Sequence, residues 1–375
     1  MVSMPRLSAR PSLTPDAAVA PPRPTAGYVT NLVTILLGTW FTFGLFLDAW
    51  AHNNLTELET FFTPWHGVFY SGFIATAGWI AWTVWRSGLP AGIRSIPAGY
   101  GAATIAMVGF AISAAGDLTW HTVIGIEQTI DILFSPTHLG LIASMLVIVA
   151  TPLRATWVDQ SLPAAPGLRR LLPALLSASL ATTLVLLFLQ YANALTYDSG
   201  SVVLAFTTMD EELTASLVAA MAVTNLVLIL PLLTLLRRWT LPFGAATILY
   251  AAVGALSSAT TGFGNIDMII GLLIAGVCVD LLARWLRPMP QRPTQLRLFA
   301  ALAPLITWTI FVATAYLVAP ELAPQVPGVQ PEAMVELFTG APVVQALIGL
   351  LMSFLLFPGG LPLVASVEST VRVDA

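Results

Sequence analysis

Charge is what this chain has least of. Asp, Glu, Lys and Arg make up 9% of its 375 residues, against roughly 25% in soluble globular domains. Lysine is absent, and all fifteen basic residues are arginine. Such scarcity excludes a soluble fold. With a formal net charge of −4 it also excludes a nucleic-acid-binding surface, which needs clustered cations. The single cysteine, Cys278, excludes a disulfide framework and a thiolate metal site, and reads as a buried structural thiol inside a span. Histidine occurs four times, never beyond His138, so nothing after about residue 159 can repeat imidazole chemistry. No flavin or nucleotide motif is present. The longest polar stretches, residues 1–26 and those near 153–168 and 319–339, are too short for a soluble domain.

What fills the chain instead is apolar sequence, 57% of residues, with mean hydropathy +0.84. Runs of bilayer-spanning length recur from end to end. Ten candidate spans lie near 29–52, 64–86, 96–117, 136–152, 170–192, 213–236, 242–259, 264–285, 297–318 and 340–357. The expected fold class is therefore all-α, a polytopic integral membrane helix bundle. The fourth span is short, and 242–285 fits either a hairpin or a helix broken around Thr261-Gly262-Phe263-Gly264-Asn265.

The arginines fix an expected orientation, because cytoplasmic loops retain basic residues. Arg23 precedes the first span, and Arg86, Arg94, Arg154, Arg169, Arg170, Arg237, Arg238, Arg284, Arg287, Arg292 and Arg297 fall in even-numbered loops, with Arg372 in the tail. The odd loops hold Glu57, Glu59, Glu127, Asp131, Asp198, Asp210, Glu211, Glu212, Glu321, Glu332 and Glu336. Both termini are thus expected in the cytoplasm, in a multi-pass protein of the cell membrane. Trp82, Trp85, Trp239 and Trp285 accompany the inner arginines as an aromatic belt would. Residues 1–26, rich in Pro, Ala and Arg, read as a disordered cytoplasmic tail before an uncleaved first span. Residues 27–158 form a four-span unit that contains every histidine, and 159–375 a six-span unit of unassigned role.

Those histidines fall in two copies of one phrase. Asp48 precedes His52 by four residues and Phe62-Thr63-Pro64-Trp65-His66 follows; Asp117 precedes His121 by four and Phe134-Ser135-Pro136-Thr137-His138 follows. The i,i+4 spacing puts carboxylate and imidazole on one helix face. A second imidazole arriving from the next helix completes an O,N,N ligand set. Thr63-Pro64 and Ser135-Pro136 read as N-cap followed by first-turn proline. The positive helix end disfavours imidazolium at the following His66 and His138, and neutral imidazole is the form that binds metal. The competing structural reading pairs each Asp only with its own helix's His. Duplication that uses every histidine favours metal. Such sites suit copper(II), zinc or non-haem iron, and three ligands leave a position open. Glu127, in the loop after His121, is a weaker candidate ligand or partner of a ligand.

The two phrases resemble the C subunit of particulate methane and ammonia monooxygenases, over roughly residues 40–145. There an Asp-x-x-x-His and an Asn-x-x-x-His each precede a Pro-x-His. Phe62-Thr63-Pro64-Trp65-His66 looks like the family's Phe-Thr-Pro-x-His, and His121, Glu127 and Pro136-Thr137-His138 match its second copy. Asp117 stands where the family has Asn, the interval from His121 to His138 is about three residues longer, and the chain has about four more spans. The resemblance implies copper, oxidation of a small apolar substrate, and assembly with other membrane subunits.

Three functional classes follow. One is a metal-dependent membrane oxidoreductase with an apolar substrate entering from the bilayer, drawing electrons from a quinol or a partner, alone or as a homo-oligomer. The second is a bis-histidine haem electron-transfer protein, disfavoured by the paired carboxylates. The third is a transporter or metal permease, for which the second half offers Asp267 within a span. Asp280, four residues before Arg284, is expected to form an ion pair with it.

Overall fold

The computed structural model describes residues 23–55, 63–88, 92–125, 130–208, 210–319 and 335–358. They form helices α1 (Tyr28–Asn54), α2 (Pro64–Arg86), α3 (Tyr100–Val123), α4 (Pro136–Val149), α5 (Thr151–Val158), α6 (Leu168–Phe188), α7 (Ser199–Thr207), α8 (Glu211–Leu236), α9 (Ala245–Ala259), α10 (Ile266–Leu286), α11 (Pro293–Val318) and α12 (Val335–Leu356). Among the described residues there is no named strand, and nine helical segments are long and apolar enough to cross a bilayer. The protein is a polytopic helical membrane bundle. Glu127 lies outside the described residues, as do Glu57 and Glu59.

Three elements depart from the sequence reading. The fourth span is not short: α4 and α5 run on as one 23-residue segment, Pro136–Val158. Pro152 falls in the first turn of α5, where its missing N–H matters least. At the junction the Ser177 hydroxyl of α6 donates to Val149 O and accepts from Leu153 N–H, inserting into the helical ladder. The seventh span, α9, has 15 residues. At about 1.5 Å per residue it covers about three-quarters of a hydrocarbon core of about 30 Å. The short α7 was not foreseen; Asp198 caps it by accepting from Ser201 N–H at 2.7 Å.

Helices α9 and α10 form a hairpin. The chain reverses through Gly262 (φ 65°) and Phe263 (φ 62°), and Gly276 of α10 lies against the backbone of Thr247. Asp280 does not pair with Arg284. Its buried carboxylate accepts from Ala246 N–H (2.9 Å), Thr247 N–H (3.0 Å) and the Thr247 hydroxyl (2.6 Å), capping the N-terminus of α9. Those unpaired N–H groups attract a buried carboxylate more strongly than a solvated guanidinium does. Asp267 accepts from the Ser199 hydroxyl, tying α10 to α7. Cys278 is half-buried in α10.

Close approach of backbones sets the register of the first helix pair. A methyl group at Gly44 would stand 2.6 Å from Phe69 Cα, and one at Gly72 2.6 Å from Phe41 Cα, so α1 and α2 touch at two glycines, as small residues allow in membrane bundles. One turn beyond Gly44 comes Asp48, and one turn before Phe69 comes His66. In the second pair, Gly109 meets Ser144, Gly140 meets Ser113, and Gly116 meets Thr137, which carries Asp117 alongside His138.

Aromatic rings join the two pairs. Phe41 packs edge-on against Phe110 (centroids 5.1 Å) and stacks on Phe69 (5.3 Å), while Phe73 lies 4.2 Å from Phe110. All four phenylalanines belong to the core shared by α1–α4, to which Leu180, Leu184 and Leu187 of α6 also contribute, except that Phe73 sits at its edge. Gly72→Ala is expected to force α1 and α2 apart and lower the thermal midpoint in detergent, costing about 1–3 kcal/mol. Gly78→Ala, which meets nothing within 4 Å, is the control. Equal midpoints for both variants would show that the glycine contact does not hold the pair.

Candidate metal centre

Both copies of the duplicated phrase close into compact clusters. Asp48, His52 and His66 offer one ligand atom each, all within 4.8 Å of one another, and so do Asp117, His121 and His138. Asp48 Oδ2 lies 3.8 Å from His52 Nε2, and its Oδ1 3.4 Å from His66 Nδ1. Asp117 Oδ1 lies 3.5 Å from His121 Nε2 and 3.3 Å from His138 Nε2. Asp48 is 8% exposed and Asp117 2%, a placement that is costly for a carboxylate within a membrane bundle without a nearby cation or donors.

The helix starts behave as the sequence indicates and add a contact that it does not show. Thr63 Oγ1 accepts from His66 N–H and Ser135 Oγ from His138 N–H, each at 3.2 Å. The same hydroxyls also touch the rings: Thr63 Oγ1 is 2.9 Å from His66 Nδ1, and Ser135 Oγ 2.6 Å from His138 Nδ1. One residue serves as helix cap and as imidazole holder.

In the second copy the hydroxyls continue to the carboxylate. Thr137 Oγ1 donates to Asp117 Oδ1 at 3.0 Å and lies 3.1 Å from Ser135 Oγ. Only one assignment gives a proton to each of these three contacts: His138 Nδ1–H donates to Ser135, Ser135 to Thr137, and Thr137 to Asp117. In a neutral ring this assignment leaves a lone pair on His138 Nε2, facing Asp117 Oδ1 at 3.3 Å. Two acceptors at that distance repel unless a cation or proton lies between them. The equivalent of Thr137 in the first copy is Trp65, which has no hydroxyl. Trp65 packs edge-on against Trp50 instead, at 5.8 Å. Asp48 Oδ1 is buried and accepts no hydrogen bond among the described residues. Both clusters fit a divalent cation, and they hold their carboxylates differently.

The clusters are neighbours. Asp48 and Asp117 lie close enough to interact through their charges, as does His66 with His121 and His138. A cavity of about 80 Å³ is lined by Asp48 and His52 of one cluster, His138 of the other, and Leu187, Phe188 and Gln190 at the end of α6. Phe41 and Phe110, which touch, precede Asp48 and Asp117 by seven residues each, two helical turns, so their contact brings the two aspartates together above it. Tyr70 lies over His66 (6.1 Å) and beside Phe110.

Sequence reasoning had missed Thr137, Gln190 and the α6 wall. The signal for Thr137 was there, in the one residue that differs within the two Pro-x-His phrases. The cavity wall comes from a helix without a motif.

No family model, characterised protein or solved structure matches the chain.

Thr137→Val keeps the shape and removes the hydroxyl that orients Asp117. Divalent-cation affinity at the second cluster is expected to fall about tenfold, a typical effect of removing a partner of a ligand, while the first cluster is unaffected. Titration of each cluster in a background lacking the other's histidines checks this. Unaltered affinity would mean that the Thr137 contact does not orient the carboxylate.

Proposed function

We propose that the protein is a membrane metalloprotein with redox function, holding two copper ions in adjacent positions, one by Asp48, His52 and His66 and the other by Asp117, His121 and His138. The observation that carries this reading is the pair of carboxylate–imidazole–imidazole clusters, with Asp48 and His52 of one and His138 of the other lining one small cavity. Two imidazoles and a carboxylate suit copper(II), with zinc and iron as the competing occupants. The resemblance of the two phrases to the copper monooxygenase C subunit favours copper.

When bound, such a metal supplies one-electron chemistry and an open position for a small ligand. The chain's own residues do the rest. Asp48 and Asp117 supply the negative charge that draws a cation below the bundle surface. Ser135 and Thr137 lock the His138 ring and the Asp117 carboxylate, and Thr63 holds His66. Leu187 and Phe188 wall the cavity with apolar surface, which limits water and suits an apolar substrate from the bilayer. Electrons come from a quinol or a partner subunit, since the sequence has no flavin or nucleotide motif.

Every described arginine lies at or near the helix ends remote from the clusters, from Arg23 before α1 to Arg297 at the start of α11. Trp82 and Trp239 pack under Arg86 and Arg238 there. By the positive-inside rule that end is cytoplasmic and the metal end extracytoplasmic. Against haem, the cavity is far smaller than a porphyrin. Against a permease, Asp267 already serves a hydrogen bond between helices.

Elemental analysis of detergent-purified protein grown with copper, zinc and iron available tests the reading. About two copper atoms per chain are expected, falling to about one in His66→Ala or His138→Ala and to none in the double variant. Zinc in the same positions would keep the sites and overturn the redox role; metal-free protein of normal helicity would overturn both.

A further inference from the structure

At the opposite end of the bundle three arginines meet without a counter-charge among the described residues. The α9–α10 turn touches the metal end, where Asn54 Nδ2 of α1 donates to Thr260 O at 3.1 Å. The 21 residues of α10 then carry the chain about 30 Å away. There a cavity of about 470 Å³ is lined by Arg284, Arg287 and Arg292 together with Leu241, Phe243 and Met289, and among the described residues no carboxylate lines it.

Two features make this more than a basic loop. Asp280, one turn before Arg284, is the carboxylate placed to neutralise it, and that carboxylate is buried and held by the N-terminus of α9. Arg284, Arg287 and Arg292 therefore have neither an ion pair nor a side-chain hydrogen bond among the described residues. The backbone also converges them. Arg287 ends α10 in the left-handed conformation (φ 48°), unusual for a residue with a side chain, and a tight turn bridging Met289 to Arg292 brings Arg292 back against the helix end. By contrast, Arg297 is engaged over the Phe354 ring.

The walls and the depth point to the ligand. Phe243, which lines the cavity, is 50% exposed, and Trp285, next to Arg284 in the chain, is 76% exposed, as residues of a membrane–water boundary are. A group that is anionic at one end and apolar at the other fits both the arginines and the Leu241, Phe243 and Met289 wall. We propose that this cavity binds the phosphate of an anionic phospholipid headgroup, gripped by Arg284, Arg287 and Arg292, with the acyl chains lying along α10. Basic pockets between membrane helices recognise headgroups in this way, and guanidinium forks match phosphate geometry.

The test counts lipid retained by the full-length protein, in native mass spectra, after exposure to phosphatidylglycerol or phosphatidylcholine in detergent. Wild-type protein is expected to retain phosphatidylglycerol over phosphatidylcholine by about tenfold, and Arg287→Gln/Arg292→Gln to bring the two near parity. Arg169→Gln/Arg170→Gln, at a second arginine-bearing cavity that Asp159 also lines, is expected to keep the preference. Arg284→Gln alone is expected to give a partial loss and covers the case in which the double variant does not fold. No preference in wild type, or equal loss in both double variants, would overturn the proposal, since the attraction would then be diffuse. Displacement of the lipid by millimolar inorganic phosphate would overturn it too, marking a site for a free anion.

Discussion

Two carboxylates held side by side inside a membrane bundle are the constraint around which this protein is arranged. Asp48 and Asp117 sit near the ends of α1 and α3, where the negative end of the helix dipole adds to the cost of burying them. Each is met by an imidazole from its own helix and one from the start of the next. Neutral imidazoles do not compensate a carboxylate's charge, and a divalent cation does. The packing below serves that meeting: glycines let α1 and α2 touch, small residues let α3 and α4 touch, and Phe41 against Phe110 joins the pairs two turns beneath. Misplacing either contact would separate a carboxylate from its second histidine.

The two halves of the centre are copies in sequence and differ in constraint. In one, a hydroxyl chain runs from His138 through Ser135 and Thr137 to Asp117, fixing ring and carboxylate together. In the other, Trp65 replaces Thr137, and the Asp48 carboxylate is held through His66 and His52. The Asp117 position is therefore the more constrained of the two, and the Asp48 position the more adaptable. That division follows from one residue in each Pro-x-His phrase.

Local rules made much of this legible in the chain. The i,i+4 spacing of Asp48–His52 and Asp117–His121, the caps at Thr63 and Ser135, and the nearly ten-fold repetition of apolar runs depend on neighbours within a few residues, and the structure shows each of them. Packing between distant segments is where sequence reasoning failed. Asp280 looked like a partner for Arg284 four residues on, yet the N-terminus of α9, more than thirty residues back, holds it. The fourth span looked short, ending near residue 152, yet Ser177 on another helix bridges the junction and the helical segment runs on to Val158. The shared cavity likewise depends on α6, whose residues carry no motif.

The molecule is polarised along its axis, with both Asp–His–His clusters at one end and the described arginines at the other. X-ray absorption at the copper edge of protein loaded with copper tests the central claim most directly. The expected result is a first shell of nitrogen and oxygen only, with outer-shell scattering from two imidazole rings per metal, reduced to one ring at one metal in His138→Ala. A sulfur shell, or copper without imidazole scattering, would place the metal outside the two Asp–His–His clusters.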